Sequence, residues 1–346
     1  MPQYALLILP SANRVYADAS VALTQAELAV FSRAVLGGRL TGAEAATIGG
    51  VPYVTFTASS LAGRDAAFLA NLSCAYALFE VAGDLLRPVG LHPLDRYDDD
   101  LVTIQKYAGK TNDQFTKLLL NVTLLSSAFA GEMLDRRLSV LDPLCGRGTT
   151  LNHALMLGYD AAGIDIDARD FEAYATFIKT WLKRKRLKHQ VEYDAPVRRE
   201  GKVAGRRLQV RLAATKEDFK AGDTQRLDVV NADTTRSPEF FQPGTFDLIV
   251  ADAPYGVQHG SQAGGGLARG PLGLLAAAAP AWARLLRDGG AVGISWNTHV
   301  ASRDDAVKTL ADAGLQALDD GPYLSFRHRV DQAITRDIVI ARKPLG

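Results

Sequence analysis

From about residue 100 onward, short apolar runs alternate with longer stretches of helical periodicity. The runs are rich in Val, Ile, Leu and Ala, as expected for strands that are buried on both faces. Alternating strands and helices are typical of an α/β fold with a doubly wound, mostly parallel sheet. The pattern predicts strands over 139–141, 161–164, 227–230, 248–250 and 291–295, closing strands near 322–330 and 333–341, and helices over 113–134, 150–157 and 169–182.

The first 90 residues have a pattern of their own. An apolar run predicts a strand over 4–9, and alternating polar and apolar positions predict a second strand over 51–57. A helix near 64–71 and a strand over 75–81 are expected to follow. Thr24 and Glu27 have the spacing of a capping box, so we expect a helix that begins at Thr24 and ends before Gly37-Gly38. Proline-containing pairs near residue 90 then indicate a linker. We therefore predict a small N-terminal α/β domain over 1–90, a connecting segment over 91–112 and the main domain over 113–346.

Composition narrows the class of protein. With 346 residues, 47% hydrophobic and 22% charged, the chain is typical of globular proteins of about two domains. Two cysteines exclude a disulfide framework and disfavour a cysteine-rich zinc site. No apolar run has the length of a membrane span, and the N-terminal apolar run lacks a preceding Lys or Arg, so we expect a cytoplasmic protein without a membrane partner.

Positive charge is concentrated in one segment. The formal net charge is only +1, yet 12 Lys and Arg against three acids lie between Lys179 and Arg211. The segment 183–226 is too long for a simple connection, and we interpret it as a basic insert in the main domain. Two interpretations stay open: it contacts the phosphate backbone of a nucleic acid, or it is a solvated surface insertion.

A glycine-containing turn follows the strand over 139–141. Gly146 and Gly148 permit positive φ and close approach of a ligand to the backbone, and the next helix offers free N–H groups. This turn has Arg147-Gly148-Thr149 where a P-loop needs Gly-Lys-Ser/Thr, and Leu151 where the dinucleotide fingerprint needs its third glycine. The turn is predicted to bind a nucleotide-like cofactor through Asp142, Pro143, Cys145, Gly146, Gly148 and Thr149. Cys145 is interpreted as a small residue that fits the turn.

Two further acids follow neighbouring predicted strands. Asp165 ends the strand over 161–164 and is expected to accept hydrogen bonds from ribose hydroxyls, with Ile166 beside it. Asp167 is the rival for this role and is expected to cap the next helix. Asp233 is expected to accept from an adenine amine, and Tyr107 lies in a segment that we expect to close over the cofactor.

A second turn, Asp252-Ala253-Pro254-Tyr255, follows the strand over 248–250. An exocyclic amine on a nucleobase is a poor nucleophile because its lone pair is delocalised into the ring. Asp252 and the carbonyl of Ala253 can accept its N–H groups, Pro254 fixes the turn, and Tyr255 can stack on the base. The two turns together predict methyl transfer from S-adenosylmethionine (SAM) to such an amine, with no metal required.

These residues resemble the amino-methyltransferase branch of the SAM-dependent methyltransferases, whose catalytic motif is Asp/Asn-Pro-Pro-Tyr/Phe. More narrowly, 142–150, 163–167 and 252–256 resemble the THUMP-associated tRNA guanine-N2 methyltransferases. The resemblance implies a Rossmann-like SAM-methyltransferase fold, Asp165 and Asp233 for SAM, and Asp252 and Tyr255 for the base. Ala253 stands where the motif usually has its first proline.

The leading hypothesis is therefore a tRNA guanine-N2 methyltransferase, with 1–90 as a candidate RNA-docking module. DNA adenine-N6 methylation, with 183–226 as a target-recognition insert, is the second enzymatic hypothesis. A SAM-binding RNA chaperone or regulator is the third. Three side chains are weighed as contacts to a flipped-out base against packing roles: Tyr255, His259 and Trp296. We interpret His299 and His328 as structural, since no metal-ligand spacing accompanies them.

Overall fold

A computed structural model describes residues 1–199, 202–253 and 270–346. The N-terminal part is an antiparallel five-stranded sheet with the order β2-β3-β1-β4-β5. Its strands and helices are β1 (Gln3–Ile8), α1 (Arg14–Val35), β2 (Leu40–Ile48), β3 (Val51–Ala58), α2 (Gly63–Leu69), β4 (Ala75–Ala82) and β5 (Leu85–Val89).

The predicted start of the first long helix is wrong. Helix α1 begins ten residues before Thr24, and Asn13 caps it by accepting from the Tyr16 N–H at 3.1 Å. Glu27 is fully buried inside α1, where its carboxylate accepts hydrogen bonds from Ser73 and Asn121. The apparent capping box is therefore a buried polar contact between elements.

The rest of the chain forms a second, larger sheet and the helices that pack on it. Its strands are β6 (Ser139–Asp142), β7 (Asp160–Asp165), β8 (Lys188–Arg199), β9 (Lys202–Ala213), β10 (Gln225–Asn231), β11 (Phe246–Asp252), β12 (Leu286–Asn297), β13 (Gln316–Leu318), β14 (His328–Arg329) and β15 (Thr335–Arg342). Its helices are α3 (Asp100–Thr103), α4 (Asp113–Ser126), α5 (Thr149–Met156), α6 (Ala168–Arg184), α7 (Lys216–Ala221), α8 (Pro271–Leu285) and α9 (Arg303–Asp312).

The main sheet has the order β13-β15-β12-β11-β6-β7-β10-β9-β8, with β14 paired to β15. Strands β10, β7, β6, β11 and β12 are mutually parallel, whereas β15 is antiparallel to both of its neighbours in this order. Strand order reverses between β6 and β11, which defines the switch point where doubly wound sheets bind ligands at the carboxyl ends of strands. The fold is the α/β, Rossmann-like fold predicted from the sequence.

The basic insert is mostly regular structure. Strands β8 and β9 form a long hairpin that extends the sheet antiparallel to β10. Two of its arginines are ion-paired: Arg206 contacts Glu172 at 2.7 Å, and Arg207 and Asp228 contact each other at 2.5 Å. The charges of these two arginines are thus neutralised locally.

Two predicted boundaries in the main domain are also wrong. Helix α4 ends at Ser126 rather than at 134, because the Ser126 and Ser127 hydroxyls bond back to the carbonyls of Val122 and Leu124 and compete with helix continuation. The expected strand over 322–330 is a 3₁₀ turn followed by the two-residue β14. Its Tyr323 hydroxyl lies 3.0 Å from the Ser126 Oγ.

One hydrophobic core joins the two sheets. Helix α1 packs on α4, and the buried cluster runs from Leu6 and Phe31 in the N-terminal part to Phe115 and Leu119 in α4. The connecting segment is anchored to the N-terminal part, since the Leu94 N–H donates to Asn71 Oδ1 at 3.0 Å. Among the described residues there is no helix long and apolar enough to cross a membrane.

Candidate active site

The two sequence motifs meet at one edge of the main sheet. Strands β6 and β11 are hydrogen-bonded neighbours, with Val140 opposite Leu248 and Leu141 opposite Ile249. Because both strands run in the same direction, the turns that follow Asp142 and Asp252 emerge side by side at the carboxyl edge. The Asp252 carboxylate is also close enough to raise the pKa of Asp142.

The turn after β6 depends on glycine geometry. Gly146 has φ 48° and Gly148 has φ 79°, both in the left-handed region that favours glycine. A Cβ at Gly148 would lie 2.2 Å from the buried ring of Tyr174. A Cβ at Gly146 would meet nothing within 4 Å. The turn is therefore packed tightly against α6 at Gly148 and borders open space at Gly146.

Asp165 holds the same turn from the end of β7. Its carboxylate accepts the Gly146 N–H at 2.7 Å and the Asp167 N–H at 2.8 Å. Burial raises the pKa of Asp165 above its usual value. Asp167 caps α6 by accepting the Arg169 N–H, as the sequence predicted. Ile166, between the two acids, is 49% exposed and leaves an apolar surface beside the turn.

Asp142 is almost completely buried, with 3% exposure. Its Oδ1 accepts the Leu144 N–H at 3.0 Å, and Thr150 donates to its carboxylate. Burial raises the pKa of Asp142 to about 7, and the nearby carboxylates of Asp165 and Asp252 act in the same direction. Asp142 therefore fixes the shape of the turn from beneath.

Cys145 and Pro143 are also buried beneath the turn. The Cys145 N–H donates to the Ile164 carbonyl at 3.0 Å, and a Cβ on Gly163 would lie 2.7 Å from the Cys145 Sγ. Burial raises the pKa of the Cys145 thiol. A neutral thiol in a closely packed position agrees with the interpretation of Cys145 as a small residue that fits the turn.

The segment before α4 contacts both motifs. The Tyr107 hydroxyl lies 3.2 Å from the Thr149 Oγ1 at the start of α5, and the Arg147 guanidinium lies 4.7 Å from the centre of the Tyr107 ring. Four residues later, the Thr111 hydroxyl donates to Asp252 Oδ2. This segment therefore lies over the edge where the two turns meet.

Asp252 accepts hydrogen bonds on both carboxylate oxygens. Thr111 donates to Oδ2 and the Ser295 hydroxyl donates to Oδ1. Arg336, on β15, places an Nη 3.7 Å from Oδ2. The Ala253 N–H donates to the Ser295 carbonyl at 2.9 Å, so Ser295 holds both residues. An oriented carboxylate at this position can accept a hydrogen bond from a substrate amine.

Other predicted site residues lie elsewhere or make different contacts. Asp233 begins a 3₁₀ turn, where its Oδ1 accepts from the N–H and hydroxyl of Thr235, each at 2.8 Å. Trp296 is buried and donates to the Ala301 carbonyl, so its ring packs beneath α8 and α9. Pro254, Tyr255 and His259, for which the sequence predicted roles at the site, lie outside the described residues.

Sequence reasoning missed Ser295 and Arg336 as neighbours of Asp252. One signal was available: the charged residues Arg336 and Asp337 come directly before the apolar run of β15. A buried charge requires a partner, so a search for that partner would have led towards the catalytic edge.

The residues present fit SAM. Gly146 borders open space, Ile166 offers an exposed apolar side chain, and Asp165 supplies a carboxylate at the end of β7. These groups match the backbone, adenine and ribose requirements of a nucleoside cofactor. Within the described ranges, no group of three or more His, Cys, Asp and Glu side chains is arranged to hold a metal ion.

Comparison with known proteins places a methyltransferase domain across this site. Residues 126–266 match the family model described as RMKL-like, methyltransferase domain. A 128-residue stretch is 30% identical to a ribosomal RNA large subunit methyltransferase K/L from Photobacterium profundum. That similarity covers 35% of this chain, which spans only 18% of the relative's length.

Similar solved structures include precorrin-6y C5,15-methyltransferase from Geobacter metallireducens, 12% identical over 73% of this chain and 99% of that chain, with a TM-score of 0.38. Another is 1,6-didemethyltoxoflavin-N1-methyltransferase from Burkholderia thailandensis with bound S-adenosylhomocysteine. It is 15% identical over 63% of this chain and 76% of that chain, with a TM-score of 0.36. Because these TM-scores are low, the fold is assigned from the strand order of the chain itself.

The strand order, the glycine turn after β6 and the matched segment agree with one another. The chain contains a Rossmann-like, SAM-dependent methyltransferase domain, and S-adenosylmethionine is its cofactor.

Proposed function

We propose that this chain methylates the exocyclic amine of a nucleobase in RNA, and specifically N2 of guanine. The observation that carries the proposal is the position of Asp252. Its carboxylate lies at the end of β11, next to the cofactor turn after β6, and is followed directly by Ala253-Pro254-Tyr255. Hydrogen-bond acceptors beside a methyl-donor site are what an aromatic amine requires.

In this proposal the protein acts by positioning and electrostatics. Asp252 accepts one N–H of the amine, which localises the nitrogen lone pair and orients it. The carbonyl of Ala253 accepts the second N–H. Bound SAM supplies an electrophilic methyl group. Asp252 is already held by Thr111 and Ser295, so little reorientation is needed when the base arrives.

The cofactor contacts of the proposal follow the sequence motifs. Asp165 accepts from the ribose hydroxyls, Ile166 packs on the adenine, and the turn at Gly146 faces the methionine end together with Tyr107. Asp233 is proposed to accept from the adenine amine through its Oδ2, since its Oδ1 caps a turn.

RNA is favoured over DNA because the matched relative is named as a ribosomal RNA methyltransferase and the motifs resemble those of tRNA enzymes. Exposed cations at Lys183, Arg184, Arg186 and Lys188 suit a phosphate backbone. The start of β8 pairs with the end of β9, and β9 runs antiparallel to β10, so the end of β9 lies beside the start of β10. These cations therefore lie at the amino edge of the parallel strands. The seven residues of β10 separate the amino edge from the carboxyl edge by roughly 20 Å. This cluster would therefore contact the RNA at a distance from the target base.

The N-terminal part contributes less charge to such binding. Residues 1–90 contain five arginines, no lysine and six acids. Four of these arginines are ion-paired, namely Arg33, Arg39, Arg64 and Arg87. A docking role for 1–90 therefore has to depend on shape rather than on positive charge.

The test is methyl transfer from labelled SAM to unmodified tRNA, unmodified ribosomal RNA and unmethylated DNA in parallel, followed by nucleoside mass spectrometry. We expect N2-methylguanosine in one of the two RNAs, and the labelled RNA identifies the substrate class. N6-methyladenine in DNA, or label in none of the three polymers, would overturn the proposal.

A further inference from the structure

Arg336 is a buried cation beside the candidate catalytic carboxylate. It is 3% exposed, on a strand whose following residues, Ile338, Val339 and Ile340, are apolar and buried. Its guanidinium carbon lies 4.1 Å from the centre of the Phe115 ring, and an Nη lies 3.7 Å from Asp252 Oδ2. The guanidinium is therefore placed between the first turn of α4 and the end of β11.

Strand register explains why these groups meet. Asp252 is opposite Ser295 in the β11–β12 pair, and Ser295 is opposite Ile338 in the β12–β15 pair. Side chains alternate along a strand, so Arg336, two residues before Ile338, shares the face of Asp252 and Ser295. Phe115 and Thr111 belong to the helix and segment that cover this face.

The charge of Arg336 needs an explanation beyond stability. Desolvating a guanidinium is costly, and apolar residues often replace a buried ion pair without loss of stability. His328 lies opposite Arg336 in the β14–β15 pair, but burial lowers the pKa of His328 to about 4, so it is neutral near pH 7. Arg336 thus supplies positive charge next to Asp252 that His328 does not supply.

We propose that Arg336 is a positioning residue, which keeps Asp252 as an oriented carboxylate for the substrate amine. This inference rests on the function proposed above. Thr111 and Ser295 fix the two oxygens by hydrogen bonds, and Arg336 supplies the countercharge on the Oδ2 side.

The test compares Arg336→Met and Arg336→Lys with the wild type in kcat for methyl transfer to the RNA that the wild type modifies. SAM affinity and Tm are measured for each protein. We expect Arg336→Met to lower kcat about 10- to 100-fold while the Kd for SAM changes less than about threefold. Arg336→Lys keeps the positive charge but lacks the planar guanidinium group. We therefore expect its kcat to lie between those of Arg336→Met and the wild type.

Arg303→Met is the matched control. Arg303 is also a largely buried arginine, and it contacts Asp337 at 3.0 Å. Asp337 follows Arg336 on β15 and points to the opposite face of the sheet. We expect Arg303→Met to lower Tm at least as much as Arg336→Met and to leave kcat unchanged. A merely structural role for Arg336 would make the two variants alike in kcat.

A double-mutant cycle with Asp252→Asn separates charge pairing from packing. An amide keeps an acceptor but carries no charge, so Arg336→Met should cost less than about threefold in kcat in the Asp252→Asn background. An equal loss in both backgrounds, or full kcat in Arg336→Met, would overturn the inference while leaving the proposed function intact. A wild-type protein that methylates none of the nucleic acids would overturn both.

Discussion

Asp142→Asn should change how the stability of the protein depends on pH. Asp142 is 3% exposed, and burial raises its pKa to about 7. Asparagine has nearly the same shape and keeps an oxygen for the Leu144 N–H, which Asp142 now accepts at 3.0 Å. The substitution therefore removes a titrating group with little change in packing.

The sign and the magnitude follow from proton linkage. An aspartate in the unfolded chain titrates near pH 3.8, so between that value and about pH 7 the folded protein binds more protons at this site than the unfolded chain does. The free energy of unfolding contributed by Asp142 is highest below the unfolded pKa and falls as pH rises towards the folded one. A difference of about three pH units corresponds to a loss of roughly 4 kcal/mol, which is an upper bound.

Urea denaturation of both proteins between about pH 4 and pH 8 measures this effect. Other buried carboxyls, such as Glu27, are common to both proteins and cancel in the difference. We expect Asp142→Asn to become progressively more stable relative to the wild type as pH rises to about 7, and the difference to be constant above that. A difference that does not change with pH would refute the assignment of a buried, proton-binding Asp142.

Three further predictions concern the cofactor turn. Gly148→Ala should destabilise the protein by about 2–4 kcal/mol in urea denaturation, because it combines positive φ with displacement of Tyr174. Gly222→Ala, with φ 81° and open space around it, should cost only about 1–2 kcal/mol, and equal costs would contradict the packing argument. Asp165→Ala should weaken SAM binding at least about 10-fold by calorimetry, since the N–H groups of Gly146 and Asp167 lose their acceptor, and unchanged affinity would exclude Asp165 from the site. Ile166→Ala should weaken SAM binding about fivefold with Tm unchanged, whereas a lower Tm at full affinity would indicate a packing role.

The parallel core of the fold was predictable because its signals are local. The central parallel strands are rich in apolar residues, and Asp142 and Asp165 directly follow such runs. The start of α1 was not predictable in the same way, since Thr24 and Glu27 have the spacing of a cap but serve a buried contact with Ser73 and Asn121. Spacing alone does not distinguish a cap from a polar cluster inside a core.

The candidate site also combines features that the sequence predicts with features that it does not. The adjacency of the turns after Asp142 and Asp252 follows from parallel strand order, which a sequence pattern can suggest. Arg336 lies 84 positions after Asp252 in the chain. Its approach to Asp252 depends on the antiparallel register of β15 and on the position of Phe115 above the sheet. Such long-range register is a property of the folded sheet and has no local signal.

The central claim is that Asp252 holds the substrate amine for methyl transfer. The most direct measurement is single-turnover transfer of the labelled methyl group from saturating SAM to the RNA substrate, with wild type and Asp252→Ala side by side and SAM affinity measured for both. We expect Asp252→Ala to lower the transfer rate by at least about 100-fold while it binds SAM like the wild type. Transfer at the wild-type rate by Asp252→Ala would contradict the account.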